Sequence, residues 1–204
     1  MSTLSRTSLR TFGVAVRAML VFTLILGIGY TAVVTAVGQL VFPWQANGSL
    51  VTDSSGQTVG SALIGQQFLD TEGNPSPRYF QPRPSAAGAG YDPTASGGSN
   101  LGPTNQKLVD AITGRRAAVA AFEGVDPSLV PADAITASGS GLDSDISVAY
   151  ADLQVTRIAR ERGLSEQVVQ QLVASKIEPR DLGYLGESRV NVLELNLALD
   201  ALSH

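Results

Sequence analysis

The chain has 204 residues, with 18 acidic and 14 basic side chains, one histidine and no cysteine. The first 42 residues contain three arginines and no acidic residue, so residues 43–204 carry 11 basic and 18 acidic side chains. This acidic balance argues against nucleic-acid binding, and the lack of cysteine excludes disulfides and thiolate metal sites.

The first predicted element is an apolar helix over residues 18–42. No charged side chain occurs between Arg17 and Asp53. A helix of this length would extend roughly 37 Å, enough to cross a hydrocarbon core of about 30 Å. Three arginines precede it, and a basic flank favours a cytoplasmic N-terminus; they are Arg6, Arg10 and Arg17. We therefore predict a cytoplasmic segment over 1–17, a transmembrane helix over 18–42 and one extracytoplasmic domain over 43–204.

A cleaved signal peptide is the alternative interpretation of this segment. Ala36 and Gly38 are small residues in an A-x-A-like arrangement, as at a cleavage site. The apolar run is nevertheless longer than the roughly 7–15 residues of a signal peptide, which favours a retained anchor. Small residues along the anchor would let another membrane helix approach closely. Gly29 and Ala36 are the candidate interface residues.

The external domain begins with a predicted strand, turn and strand over residues 50–64. Residues 70–104 are rich in Gly, Pro, Ser and Asn, which excludes a helix and predicts a long loop. We expect three aromatic residues to anchor this loop on the core, namely Tyr79, Phe80 and Tyr91.

The remainder of the chain has more regular patterns. Residues 105–122 have helical spacing, residues 133–138 are strand-like, and residues 147–162 form a predicted helix between Ser147 and Gly163. In that helix the three arginines are expected to lie mostly off the apolar face; they are Arg157, Arg160 and Arg162. Ser165 begins a further helix, and residues 189–202 start as a strand and continue as a helix or buried strand. The predicted fold class is α+β: one N-terminal transmembrane helix, then one mixed α/β domain.

Few residues offer enzymatic chemistry. The only histidine is the final residue, His204, and neither lysine lies in a phosphate-binding loop. Asp143 and Asp145 could hold a hard cation, although carboxylates in a polar loop are usually solvated or cap the next helix. A Ser–Lys hydrolase is an alternative function, with Lys107 paired to Ser99, Ser138 or Ser140.

Three segments have unusual composition, and they carry a family resemblance. They are GGSNLGPTN over residues 97–105, TASGSGLD over 136–143 and LGYLGESRVNVL over 182–193. Together with the single N-terminal span, Tyr79-Phe80, RPS over 83–85 and QVTRIAR over 154–160, they closely resemble the C subunit of the bacterial Kdp potassium-transporting ATPase. The resemblance covers nearly the whole chain. It departs at Gln81-Pro82, where the family usually has tryptophan, and at Asp145, where it usually has histidine.

The resemblance implies a non-catalytic subunit of a high-affinity potassium uptake complex in the bacterial inner membrane. Its implied partners are a channel-like potassium-translocating subunit, a P-type ATPase subunit, a small stabilising subunit and membrane lipid. ATP, magnesium and potassium would be used by the complex, with no cofactor, metal or catalytic residue in this chain. The family's C subunit is described as a catalytic chaperone that raises the ATP affinity of the pump subunit. Because the predicted topology keeps the domain away from cytosolic ATP, we expect any such effect to be indirect.

The polar, glycine-rich segments at residues 99–105 and 138–143 are the predicted partner-contacting surface. The candidate residues are Ser99, Asn100, Asn105, Ser138, Ser140 and Asp143. Turns and helix caps are the alternative role for such residues. A free-standing anchored binding domain is a further alternative to a pump subunit.

Overall fold

A computed structural model describes residues 6–202, and it divides into two compact units, Met1–Ser49 and Leu50–His204. The sole histidine, His204, lies outside the described residues. The combination of an apolar N-terminal helix with a mixed helix and sheet domain confirms the predicted fold class.

The described part of the first unit is mostly helical. Helix α1 (Arg6–Phe22) continues through a π-helical segment (Thr23–Tyr30) into α2 (Thr31–Val41), and a single turn, α3 (Pro43–Ala46), follows. Within it, Leu9–Val41 forms 33 residues of mean hydropathy 2.2, none of them buried. This stretch is long and apolar enough to cross a membrane. It stops at Phe42, since the residue before a proline is driven out of the helical conformation.

The second unit opens with an antiparallel hairpin, as predicted. Strand β1 (Leu50–Thr52) pairs with β2 (Thr58–Ser61), with an irregularity in register after Val51. In the turn, Asp53 Oδ1 accepts hydrogen bonds from the Ser55 hydroxyl and from the backbone N–H groups of Ser55 and Gln57. The Ser55 hydroxyl contributes most to lowering the pKa of the Asp53 carboxyl, followed by the Gln57 N–H.

The rest of the second unit contains four helices and a small antiparallel sheet, on which α5 and α7 pack. The helices are α4 (Gln106–Glu123), α5 (Val148–Arg162), α6 (Glu166–Ser175) and α7 (Val192–Ala201), and the strands are β3 (Asp145–Ser147), β4 (Ile177–Glu178) and β5 (Arg189–Asn191). The strand order is β3–β5–β4. The two short strands β3 and β5 lead directly into α5 and α7. The C-terminal segment is thus a strand followed by a helix, which settles the alternative left open by its periodicity.

Side-chain caps begin the four helices. Asn105, Ser147, Ser165 and Asn191 each accept a hydrogen bond from a backbone N–H two or three residues ahead. Such a cap contributes about 1 kcal/mol to a helix. Helices α4 and α5 end at Gly124 and Gly163, both in the left-handed conformation. The predicted starts at Ser147 and Ser165 and the end at Gly163 are confirmed.

Helix α5 lies at the centre of the core. Ala151, Val155 and Ile158 are fully or almost fully buried on it. They belong to one cluster with side chains of α6, α7 and β5, the best buried being Val169, Val173, Val190, Leu195 and Leu199. The long loop contributes Phe80, which has no exposed surface, and Tyr91 is also buried. Tyr79 is half-buried. The anchoring role expected of these loop aromatics is confirmed for Phe80, which belongs to the core cluster.

Two local predictions are wrong. Residues 133–138 do not form a strand: Ala132–Ala134 is a 3-10 turn, and the Thr136 N–H and hydroxyl both donate to Ala132 O. That segment instead supplies Asp133, whose carboxylate accepts from the backbone N–H and hydroxyl of Ser147. Arg157 does not lie away from the core, because its side chain is only 1% exposed.

Candidate functional site

Residues 96–98, which directly precede the first predicted partner-contacting segment (99–105), lie against the second (138–143). Gly97 N donates to Ser140 O at 2.8 Å, and the Ser96 hydroxyl donates to the same oxygen at 3.0 Å. We call residues 96–102 and 138–143 the paired loops. Their contact is close: a Cβ added to Gly98 would lie 2.9 Å from Gly139 O. Only glycine permits this approach of one backbone to another.

A third segment, residues 84–87, packs against the paired loops. Gly141 has φ +70°, and a Cβ there would lie 2.8 Å from Ala87 Cβ, Ala87 N and Gly97 O. The Ser85 hydroxyl donates to Gly141 O at 2.6 Å, and Ser138 N donates to Pro84 O at 2.9 Å. The surface is therefore an ordered arrangement of three loop segments, with its shape fixed by backbone contacts.

Inside the 138–143 loop, the predicted residues make local bonds. Ser138 is buried, and its Oγ accepts from Gly141 N and lies 3.2 Å from Ser140 Oγ. Ser140 Oγ accepts from Leu142 N. The Asp143 carboxylate is held by the Arg83 guanidinium at 2.7 Å. These three side chains shape the turn, as the alternative role for them predicted.

Ser99 and Asn100 differ from them. Both are exposed, and among residues 6–202 neither side chain makes a hydrogen bond within the chain. Asn100 has φ +52°, a left-handed conformation that asparagine tolerates better than most residues. Asn105 stands apart because its side chain caps α4 by accepting from Lys107 N at 2.9 Å. Ser99 and Asn100 are thus the predicted residues best placed to contact another molecule.

The segment that leads to this surface is fixed by buried side chains of α5 and α7. Asn196 accepts from Phe80 N at 2.9 Å and donates to Phe80 O at 3.0 Å. Gln154 does the same for Gln81, at 2.7 and 3.1 Å. Each amide replaces the partner that a neighbouring strand would supply, since a buried backbone group needs a hydrogen bond. The backbone N–H and C=O groups of Phe80 and Gln81 therefore all have partners, although this segment is not a strand.

Arg157 completes this support, and sequence reasoning missed it. Its guanidinium donates to the carbonyl oxygens of Pro77 and Tyr79 and to Gln154 Oε1, and it lies 4.5 Å from the centre of the Phe122 ring. Its Nε lies 2.9 Å from Glu123 Oε2. Burial raises the pKa of the Glu123 carboxyl, and the Arg157 charge opposes that shift. Arg157 belongs to the motif at residues 154–160 that carried the family resemblance, and this was the only sequence feature that singled it out. Helical periodicity gave no reason to expect a buried arginine.

The two carboxylates considered as a cation site are both engaged with arginines. Asp143 pairs with Arg83, and Asp145 pairs with Arg189 at 3.0 Å. Arg189 also contacts Glu178 at 2.7 Å. Burial raises the pKa of the Asp145 carboxyl, assisted by the charges of Asp143 and Glu178 and opposed by Ser144 and Arg189. In the described chain, no group of three or more His, Asp or Glu side chains is arranged to hold a metal ion.

The hydrolase alternative finds no support in the geometry. Lys107 lies in the first turn of α4 and is exposed. Among residues 6–202, no hydrogen bond joins its amine to a serine hydroxyl. A nucleophilic serine needs a base within hydrogen-bonding reach, and the bonds of Ser138 and Ser140 are those of a turn.

The candidate interface residues of the apolar helix lie on either side of the point where the π-helical segment becomes an α-helix. Gly29 belongs to the π-helical segment and Ala36 to α2. A Cβ at Gly29 would have only a backbone oxygen of the same helix within 4 Å. The surface over Gly29 is therefore open to another helix.

Comparison with known proteins gives a consistent result. The family described as KdpC, the c chain of K+-transporting ATPase, matches residues 12–201. A protein of Mycobacterium tuberculosis named Potassium-transporting ATPase KdpC subunit is 52% identical over 189 residues, covering 92% of this chain and 96% of the relative. Relatives of the same name in Kineococcus radiotolerans and Caulobacter vibrioides are 57% and 50% identical, covering 89% and 92% of this chain and 88% and 91% of theirs.

Proposed function

The chain belongs to the KdpC family of K+-transporting ATPase subunits, and we propose that it is a non-catalytic accessory subunit of such a complex. The observation that carries the proposal is the family match over residues 12–201, which includes the apolar helix and the domain that follows. The paired loops support a binding role, since backbone contacts fix the surface on which the exposed side chains of Ser99 and Asn100 lie.

The proposed partners are a channel-like potassium-translocating subunit, a P-type ATPase subunit and a small stabilising subunit. ATP, magnesium and potassium would be handled by those subunits. The chain would promote assembly and stabilise the complex, and an increase in the ATP affinity of the pump subunit would follow indirectly from that assembly.

We propose a single-pass topology in the bacterial inner membrane, with the N-terminus in the cytoplasm and residues 43–204 outside. The three N-terminal arginines support this orientation. Ser99 and Asn100, at the exposed rim of the paired loops, would contact the outer face of the channel-like subunit. This contact is separate from the helix contact proposed at Gly29 and Ala36.

The direct experiment is co-expression of an affinity-tagged chain with the proposed partner subunits, encoded by the neighbouring reading frames. Recovery of all subunits in mild detergent, with loss of potassium-stimulated ATP hydrolysis when this chain is omitted, is the expected result. Recovery of the chain alone, from cells in which the other subunits form an active pump, would contradict the proposal.

The orientation has its own test, which uses reporter proteins fused after His204. A reporter that is active only outside the cytoplasm should work at this position, and one that is active only in the cytosol should not. Activity of the cytosolic reporter would reverse the proposed topology and would place the domain on the side of the membrane where ATP is found.

A further inference from the structure

The external domain contains a cleft of about 450 Å³ between α4 and the proline-rich part of the long loop. Small-molecule sites in proteins typically have volumes of about 300–1,000 Å³. Pro82, Pro84, Val119 and Phe122 are among the apolar residues lining it. The prolines bring no backbone N–H to the walls. The cleft can therefore bury the apolar part of a ligand.

The charged residues of the cleft are of one sign. Arg83 and Arg115 line it, and none of the described lining residues is acidic. Residues 43–204 are otherwise rich in carboxylates. Arg83 is paired with Asp143 through one terminal nitrogen, and Arg115 donates from one terminal nitrogen to Ile135 O at 3.2 Å. Since a guanidinium has five N–H donors, both retain hydrogen-bonding capacity.

Most other polar groups of the walls already have partners. The Gln81 amide nitrogen donates to Phe68 O and Ser76 O, and the Tyr91 hydroxyl donates to Arg83 O at 2.8 Å. Tyr150 is different. It lines the cleft and is only 3% exposed, yet in the described chain its hydroxyl makes no hydrogen bond.

The Tyr150 hydroxyl oxygen is not fully buried, so it is open to a partner in the cleft, whereas Arg83 Nε, on the cleft wall, is buried without a hydrogen-bond partner. Burial raises the pKa of Tyr150, which keeps its hydroxyl protonated and able to donate. The cleft thus combines apolar walls with the spare donors of two guanidinium groups and one hydroxyl. These donors match an anion, and they disfavour a cation.

We propose that this cleft binds a carboxylate carried on an aromatic or branched apolar body. The carboxylate would accept from Arg115 and Tyr150, with the body against Phe122 and Val119. A carboxylate of this kind has two sources: a free organic acid, or an acidic side chain of a partner protein beside an apolar one. Binding to the isolated chain does not depend on the proposed role in potassium transport.

The test measures 1-naphthoate binding to the full-length chain in nanodiscs by equilibrium dialysis, with empty nanodiscs as background. Neutral 1-naphthamide is the matched ligand without charge. We expect one naphthoate per chain and much weaker binding of the amide. Arg115→Gln should weaken naphthoate binding about tenfold or more, and Tyr150→Phe about three- to tenfold, as for loss of a charge-assisted hydrogen bond. Arg116→Gln, one residue along α4 and outside the cleft, should have no effect.

A second pair of variants tests the site by filling it. Ala118 lines the cleft and its neighbour Ala117 does not, so Ala118→Trp should abolish binding and Ala117→Trp should preserve it. Thermal melting of each variant shows that it is folded. Equal binding of naphthoate and naphthamide would overturn the proposal, as would unchanged naphthoate affinity in a folded Tyr150→Phe or Ala118→Trp chain.

The assembled complex distinguishes the two sources of the carboxylate. If the natural ligand is a free acid, the complex should bind naphthoate as the isolated chain does. If a partner side chain supplies the carboxylate, naphthoate should bind the isolated chain and not the complex. Both results support the carboxylate site, and both are independent of whether omission of the chain impairs the pump.

Discussion

The guanidinium of Arg157 and the carboxylate of Glu123 form an ion pair inside the domain, 2.9 Å apart and each 1% exposed. The pair joins α5 to the end of α4, and Arg157 also holds the carbonyl oxygens of Pro77 and Tyr79. It therefore connects the helical core to the loop that approaches the paired loops.

Removing the charge of Glu123 should destabilise the domain strongly. Glu123→Gln leaves the buried Arg157 without its counter-charge, and breaking a buried pair in this way costs about 3–5 kcal/mol. For this closely paired carboxylate we expect that loss to exceed the gain from relieving the burial that raises the pKa of Glu123. The measurement is denaturant unfolding of the full-length chain in detergent. Glu187→Gln is the matched control, because Glu187 is 83% exposed in its pair with Arg180 and such pairs contribute about 0–1 kcal/mol. Equal effects of the two variants would show that burial does not decide the strength of the Glu123 pair.

The docking role of the paired loops is best tested at Asn100. Alanine at φ +52° would add backbone strain, so Asn100→Gly is the cleaner change. We expect the melting temperature of the chain to stay the same or rise slightly, while potassium-stimulated ATP hydrolysis or recovery of the complex falls. Gln171→Ala, an exposed change on α6, serves as the control. Normal hydrolysis and recovery with Asn100→Gly would remove this residue from the interface.

The raised pKa of Asp145 predicts a specific pH dependence of stability. A carboxyl with a folded-state pKa above 3.8 binds its proton more tightly in the folded state, so protonation favours folding. Its contribution is fully present below pH 3.8 and is lost as the pH rises through the folded-state pKa. The unfolding free energy of the native chain minus that of Asp145→Asn should therefore decrease as the pH rises in this range. A difference that increases with pH would mean that the Arg189 ion pair outweighs the burial of Asp145.

Larger side chains at the candidate membrane interface should weaken assembly. Gly29→Leu and Ala36→Leu would prevent the close approach of another helix. We expect reduced recovery of the complete complex in mild detergent with either change, measured by subunit quantification after affinity purification. Val34→Leu, which keeps a large apolar residue in α2, should have no effect. Full recovery with both leucine variants would place the partner helix elsewhere.

The sequence by itself determined the elements that depend on short-range chemistry. The apolar helix follows from the absence of charge over a long stretch, and the starts of α5 and α6 follow from Ser147 and Ser165, whose side chains bond backbone groups three residues ahead. Several sequence motifs that occur in the same order as in the family were enough to identify it. The unusual glycine and serine content also marked both segments of the paired loops.

Only the tertiary structure decided which residues meet. Arg157 lies on a helix whose periodicity placed it outside the core, yet it is buried because its partners are 34 residues away at Glu123 and 80 residues away at Pro77. The contact of Gly97 with Ser140 and the cleft beside Tyr150 likewise join distant segments. A polar side chain can be buried only where such partners satisfy its hydrogen bonds, and no local pattern specifies partners that the fold brings together.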